Sequence, residues 1–172
     1  MAGMIFAMHQ GLFSGNRAED YPLAIRQAVE IWERDLPLAS NLANISALLK
    51  QCLQRTNWVG FYLWQESQSQ LVLGPFQGLP ACTRIAAGKG VCGTAVAERK
   101  SQVVRDVHEF PGHIACDSAS ESEIVVPIIR EGEVLGVLDV DSPEKARFDH
   151  VDREWLERLV QAVIPLWPRT TG

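Results

Sequence analysis

Residues 123–141 have the sequence EIVVPIIREGEVLGVLDVD, in which two apolar runs flank a short polar turn. Such runs predict two β-strands, 123–129 and 134–141, joined as a hairpin in which Gly132 suits a turn position with positive φ. Because side chains alternate across a strand, the second strand has two distinct faces. One face is expected to carry Leu135, Val137, Asp139 and Asp141, and the other Val134, Gly136, Leu138 and Val140. The hairpin therefore ends in two carboxylates that point the same way.

A polar stretch, GHIACDSASESE, occupies residues 112–123 and leads directly into this hairpin. It holds a cysteine, a histidine, three carboxylates and three serines. A packed core does not need such a cluster beside a buried strand, whereas a chemical site does. Cys116 is therefore interpreted as a nucleophile, with the rest of the chain as its scaffold, redox partner and substrate pocket.

The remaining patterns predict helices near both ends of the chain and strands between them. Helical spacing predicts helices over 21–35, from Leu38 to Leu53, over 91–98 and after an N-cap at Asp149. Strands are predicted over 57–64, 71–76 and 101–104, and alternation places Trp58, Gly60, Tyr62 and Trp64 on one face. Segregated helices and an antiparallel block of strands indicate an α+β fold. Residues 1–18 are interpreted as an N-terminal arm and residues 19–167 as one domain.

Composition limits the possible functions. The chain has 172 residues, 47% of them hydrophobic and 22% charged, which suits one domain with a sizeable core. A net charge of -5 argues against a nucleic-acid surface, and no apolar run is long enough to cross a membrane. The N-terminus lacks the pattern of a signal peptide, so a cytoplasmic, reducing location is expected. Cysteines in that compartment are core residues, metal ligands or catalysts.

The cysteines and carboxylates suggest redox chemistry. Cys52 lies on a helix among leucines and is interpreted as a core residue, whereas Cys82, Cys92 and Cys116 lie on loops or at a helix start. A reactive cysteine can form a sulfenic acid that a second cysteine converts to a disulfide, which an external thiol protein reduces. Clustered carboxylates raise one another's pKa, so a group formed by Glu123, Asp139 and Asp141 could donate a proton or hold a substrate ammonium.

Simpler interpretations stay open at this point. Asp139 and Asp141 could start a turn with Ser142-Pro143, and Trp58 and Tyr62 could be ordinary core residues. A zinc site could be built from His108, His113, Cys116 and either Cys82 or Cys92. Its spacing lacks the paired motif of zinc-binding domains, so neither a metal nor a cofactor is expected.

Several blocks in the same order closely resemble the free methionine-(R)-sulfoxide reductases, which are single GAF-domain enzymes. These blocks are residues 57–62, 73–78, 88–95, 112–117 and 136–142. The resemblance spans about residues 20–165. It implies a central antiparallel sheet flanked by helices and makes residues 19–167 a GAF catalytic domain.

The resemblance also implies roles for individual residues. Cys116 corresponds to the catalytic cysteine that attacks the sulfoxide sulfur, Cys82 to the resolving cysteine, and Cys92 to a third cysteine that can join disulfide formation. The substrate-binding residues implied are Trp58, as an aromatic wall on the methyl side, and the carboxylates of Glu123, Asp139 and Asp141. Tyr62 is added because it shares the face of Trp58.

The expected function is that of an oxidoreductase that repairs oxidative damage. It would reduce free L-methionine-(R)-sulfoxide to L-methionine through an intramolecular disulfide, with thioredoxin as reductant and a homodimer as the expected assembly. The alternative is a GAF module that binds a ligand or senses redox state without turnover. No output domain or long signalling helix accompanies the domain, which favours the enzyme.

Overall fold

The computed structural model describes residues 12–114 and 118–169, which form a six-stranded antiparallel sheet with helices on both faces. The helices are α1 (Arg17–Glu30), α2 (Leu38–Cys52), α3 (Gly90–Glu98) and α4 (His150–Val163). The strands are β1 (Trp58–Gln65), β2 (Gln70–Gln77), β3 (Arg84–Ala86), β4 (Gln102–Val104), β5 (Ser122–Arg130) and β6 (Glu133–Ser142). Their order across the sheet is β3-β2-β1-β6-β5-β4. The predicted α+β architecture is confirmed.

The sheet separates two apolar clusters, as strand alternation predicted. The larger cluster lies under α1, α2 and α4 and takes Val59 and Phe61 from β1. The smaller cluster lies under α3 and takes Trp58 and Tyr62 from the opposite face of the same strand. Both faces of β1 are therefore buried.

The predicted faces of β6 are correct from Gly136 onward but reversed at its first residues. Ile128 of β5 pairs with Gly136, whereas the next residue, Ile129, pairs with Val134. Leu135 is the extra residue of this β-bulge, so it packs against the larger cluster, and Val134 packs against the smaller one.

Side-chain caps set the starts of α1 and α4. α1 begins at Arg17, four residues before the predicted start, because the Asn16 side chain accepts a hydrogen bond from Ala18 N. Asp149 caps α4 as predicted and forms a capping box with Asp152. No helix in the described ranges is long and apolar enough to cross a membrane.

Candidate active site

Strand register gathers the carboxylates at one end of the sheet. Asp141 of β6 pairs with Trp58 on one side and with Glu123 on the other. Asp139, two residues earlier, pairs with Gly60. Directly opposite residues share a face, so Glu123, Asp139 and Asp141 all project toward α3. Glu123 and Asp139 are buried, and Asp141 is partly exposed.

Helix α3 brings a thiol to these carboxylates. Cys92 lies in its first turn, is 3% exposed, and places Sγ 4.0 Å from Glu123 Oε1. The next residue, Gly93, explains this close approach, because a Cβ there would lie 2.3 Å from the carbonyl oxygen of Ala86 in β3. Only glycine lets α3 lie this close to the edge of the sheet.

A pocket opens between α3 and the sheet and encloses about 480 Å³, part of which is open to solvent. The three carboxylates line it together with aromatic, aliphatic and thiol groups. The lining residues that bear on its chemistry are Trp58, Tyr62, Cys92, His113, Ser120, Glu123, Asp139 and Asp141. A small ligand with one cationic and one apolar end fits this distribution.

Burial favours the protonated forms of the acidic groups. Desolvation, reinforced by Asp139 and Asp141, raises the pKa of Glu123 well above its ordinary value. Desolvation likewise raises the pKa of Asp139 to about 7. The pKa of the Cys92 thiol is raised well above its ordinary value by burial and then by Asp139 and Glu123. Burial lowers the pKa of His113, whose Nε2 lies 3.7 Å from Glu123 Oε2.

An aromatic wall, formed by Trp58 and Tyr62, lies beside the carboxylates on the same face of the sheet and is tied to the loop that carries Cys82. Trp58 stacks on Tyr62 at 5.9 Å and on Phe76 at 5.1 Å between ring centroids. Trp58 Nε1 donates to the carbonyl of Leu79 over 3.2 Å, and the Tyr62 hydroxyl donates to that of Cys82 over 3.0 Å. Burial, reinforced by Asp139, raises the pKa of Tyr62, so its hydroxyl stays a donor.

The cysteines differ in chemical state. Cys82 is partly buried and disulfide-bonded, whereas Cys52 and Cys92 carry free thiols. Cys52 lies in the larger cluster, on the face of the sheet away from the pocket. Cys116 lies outside the described residues. Ile114 and Ser120, which flank it in the sequence, both line the pocket.

Two contacts at the pocket were not predicted from the sequence. His113, considered from the sequence only as a possible zinc ligand, lies beside Glu123, and Ser120 accepts a hydrogen bond from Asn57 Nδ2 over 3.0 Å. Both belong to or adjoin the polar stretch already singled out, so its composition was the available signal. His108 lies with Asp106 and Glu121 in a separate, more exposed group.

The sequence and fold have clear counterparts among known proteins. Residues 43–163 match the family model described as GAF domain. Free methionine-R-sulfoxide reductase of Escherichia coli (strain K12) is 48% identical over 145 residues, covering 84% of this chain and 87% of that protein. The enzyme of the same name from Saccharomyces cerevisiae is 50% identical over 129 residues, covering 72% of each.

Solved structures give the same result. The free methionine-R-sulfoxide reductase of Neisseria meningitidis, solved in complex with its substrate, is 44% identical with a TM-score of 0.83, covering 88% of this chain and 90% of that one. The fRMsr of Staphylococcus aureus, also solved with substrate, is 51% identical with a TM-score of 0.79, covering 85% and 94%. The chain therefore belongs to the GAF domain family and, within it, to the free methionine-R-sulfoxide reductases.

Proposed function

We propose that the protein reduces free L-methionine-(R)-sulfoxide to L-methionine. The observation that carries this proposal is the pair of buried carboxylates, Glu123 and Asp139, beside the wall formed by Trp58 and Tyr62 in one pocket. Among the described residues, His113 is the only basic side chain within ion-pair distance of either carboxylate. A ligand's ammonium would supply the missing positive charge, and its methyl end would contact the aromatic rings.

The same arrangement supports a preference for the free amino acid. A methionine sulfoxide residue within a peptide carries an amide in place of the α-ammonium and cannot neutralise buried carboxylates. The relatives named above as free methionine-R-sulfoxide reductases, two of them solved with substrate, support this substrate class. The choice of the R epimer rests on that relationship, because both epimers present the same charged groups.

The proposed reaction uses two cysteines. The Cys116 thiolate attacks the sulfoxide sulfur, the oxygen is transferred to the cysteine sulfur as a sulfenic acid, and methionine leaves. Cys82 then displaces that oxygen as water and forms a disulfide with Cys116. A dithiol protein of the thioredoxin type reduces the disulfide by exchange. The disulfide-bonded state of Cys82 beside the free thiols of Cys52 and Cys92 supports this pairing.

The buried acids supply the protons that oxygen transfer requires. The sulfoxide oxygen leaves as water only after it gains two protons. A carboxyl group with its pKa near 7, such as Asp139, is partly protonated at neutral pH and can donate one of them. The same acids disfavour a neighbouring thiolate, and the bound ammonium offsets that effect, so substrate binding activates its own nucleophile.

Two parts of the proposal rest on family resemblance, namely thioredoxin as the physiological reductant and a homodimeric assembly. A third part, a cytoplasmic location, is an expectation from the sequence analysis. Steady-state turnover with a thioredoxin system, light scattering of the purified chain and fractionation of the source cells test them separately.

Turnover assays test the central proposal. The protein should form methionine from free methionine-(R)-sulfoxide with dithiothreitol, and at least about tenfold less efficiently from its N-acetyl derivative, which lacks the ammonium. Cys116→Ser should abolish both reactions, whereas Cys82→Ser should keep the first turnover and lose recycling by thioredoxin. Cys52→Ser, on the far side of the sheet, is the matched control. Absence of methionine from the parent protein would sink the proposal, and full activity of Cys116→Ser would overturn the role assignment.

A further inference from the structure

We propose that the pocket binds one thiophilic divalent cation, of which Zn²⁺ is the type, between Cys92 Sγ and the carboxylates of Glu123 and Asp139. The cation is an inhibitor and not a cofactor, since it occupies the position that the substrate's ammonium needs. This last point rests on the proposed function, whereas the binding itself does not. The site differs from the histidine-based zinc site considered from the sequence.

The three ligand atoms are already close to the required geometry. Cys92 Sγ and one oxygen each from Glu123 and Asp139 all lie within 4.8 Å of one another. The distance between Cys92 Sγ and Glu123 Oε1 is 4.0 Å. Tetrahedral zinc with bonds of about 2.0 Å to oxygen and 2.3 Å to sulfur separates its ligands by roughly 3.3–3.7 Å. A contraction of about an ångström therefore closes the site, which rotation of the side chains can provide.

An unsatisfied polar atom points independently to a ligand. Asp139 is 5% exposed, and its Oδ1 is buried without a hydrogen-bond partner in the described part of the chain. Asp139 lines the pocket, so this oxygen is available to a bound group. Nearly all buried polar atoms have a partner, and an orphaned carboxylate oxygen beside a second carboxylate and a thiol is suited to a cation.

The donor set decides which cation fits. A thiolate disfavours Mg²⁺ and Ca²⁺, which prefer oxygen ligands, and favours Zn²⁺ and similar ions. His113 Nε2, 3.7 Å from Glu123 Oε2, offers a nitrogen that could complete four-coordination. Binding requires that Cys92 lose its proton to solvent, so each bound cation releases a proton.

Metal titration of the full-length, disulfide-containing protein tests the proposal. In that form the described free thiols are Cys52 and Cys92, so a thiolate-to-cobalt charge-transfer band reports on one of them. We expect Co²⁺ to bind with one-to-one stoichiometry and to give this band, and Zn²⁺ to displace it. Cys92→Ser should remove the band and weaken binding at least tenfold. Asp139→Asn should weaken binding similarly while the band persists at saturating cobalt.

Matched controls keep the test decisive. Cys52→Ser and His108→Ala, the latter in the separate group of Asp106, His108 and Glu121, should leave the cobalt titration unchanged. Absence of binding, or binding that survives both Cys92→Ser and Asp139→Asn, would overturn the proposal. Circular dichroism shows whether each variant is folded. If Cys92→Ser does not fold, Asp139→Asn still tests the proposal.

Competition separates this inference from the proposed function. Free methionine should weaken apparent cobalt affinity at least fivefold, whereas an equal concentration of glycine, which chelates Co²⁺ in solution to a similar extent but lacks the apolar end, should not. Equal effects of the two compounds would overturn the shared position while leaving the metal site intact. A protein that binds cobalt in this way but never reduces methionine sulfoxide would contradict the proposed function alone.

Discussion

The described residues include two kinds of buried carboxylate, and their partners distinguish them. Asp152 is fully buried and accepts hydrogen bonds from Tyr21, Arg147 and the backbone of Asp149. Asp139 is almost as buried, but its Oδ1 has no partner among the described residues. Asp152 is therefore satisfied by the fold itself, whereas Asp139 is arranged for a group that binds from outside.

Replacing Asp139 should stabilise the protein without ligand. The folded-state pKa of Asp139 is about 7, above its ordinary value of 3.8. The folded state therefore binds the proton more tightly, and its stability falls as pH rises from about 4 to 7 and stays low above that. Asp139→Asn removes this pH-dependent loss of stability, because the amide does not ionise. In thermal unfolding with a chelator present, the variant should melt about 3 °C or more above the parent at pH 8 and show a flatter profile between pH 5 and 8.

Activity should move in the opposite direction. Asp139→Asn should raise KM for free methionine-(R)-sulfoxide at least tenfold, because it removes a carboxylate from the proposed ammonium site. A variant that melts below the parent at pH 8 would show that Asp139 is a structural group after all.

Tyr62→Phe should affect recycling more than substrate reduction. The change keeps the ring that stacks on Trp58 but removes the hydrogen bond to the Cys82 carbonyl. A less restrained Cys82 should lower the thioredoxin-dependent rate about two- to tenfold and leave the single-turnover rate unchanged. The lost bond should cost about 1 kcal/mol of unfolding free energy.

Tyr21→Phe is the matched control for this substitution. It removes a buried hydroxyl bonded to Asp152 on the far side of the sheet, so it should lower stability without slowing recycling. If both variants slow recycling equally, the effect comes from reduced stability and not from the Cys82 loop.

At the scale of elements, α3 positions the thiol, and Gly93 positions α3. Gly93→Ala would place a Cβ 2.3 Å from the backbone oxygen of Ala86, which cannot rotate away. The helix must then shift from the sheet edge and move Cys92 with it. We expect a loss of about 2 kcal/mol or more in urea unfolding, despite the better helix propensity of alanine, and a raised KM.

Gly132→Ala controls for glycine replacement in general. Gly132 has a φ of +84°, and a Cβ there meets nothing within 4 Å. Its cost should be the roughly 1 kcal/mol of left-handed backbone strain, with KM unchanged. A Gly93→Ala variant that behaves like this control would mean that the pocket does not depend on the position of α3.

The sequence predicted elements well where a local pattern determines them. Alternation along β1 identified both of its faces because each face is buried against apolar residues. It failed at Leu135, since a bulge depends on the pairing of two strands and leaves no local mark. The strand β3 was missed because Arg84–Ala86 has no apolar run and is extended only through its pairing with β2.

The candidate site was predictable in composition but not in geometry. Cys92, Glu123 and Asp139 were all singled out from the sequence as chemical residues. These three residues come together in one buried group because of the register of β5 with β6 and the packing of α3, which are tertiary features. The roles of these residues and of Cys116 stay predictions until they are tested by substitution.

At the scale of the whole molecule, the larger apolar cluster and the pocket lie on opposite faces of the sheet. The larger cluster joins α1, α2 and α4 on one face, whereas α3, Cys92 and the carboxylate pocket lie on the other. The two clusters have no residue in common within the described part of the chain, and substitutions at sites without shared partners usually act independently. Substitutions beneath the three helices should therefore change stability and leave the pocket intact.

Asp152→Ala tests this division most directly. The carboxylate of Asp152 contacts Tyr21 and Arg17 of α1 and the buried Arg147, whose Nε donates to the carbonyl of Gln54 just beyond α2. Removing it leaves Arg147 buried without its counterion and should cost about 3–5 kcal/mol in denaturant unfolding. The variant assayed well below its melting temperature should keep parental kcat and KM.

The neighbouring Asp149→Ala gives the scale for comparison. Asp149 caps α4 from a half-exposed position, so its loss should cost only about 1 kcal/mol. If Asp152→Ala raises KM while Asp149→Ala does not, the face of the sheet covered by α1, α2 and α4 must be coupled to the pocket through β5 and β6. The two faces would then not be independent. If the two faces are independent, both variants should keep the parental KM, and their free energies of unfolding should differ by about 2 kcal/mol or more.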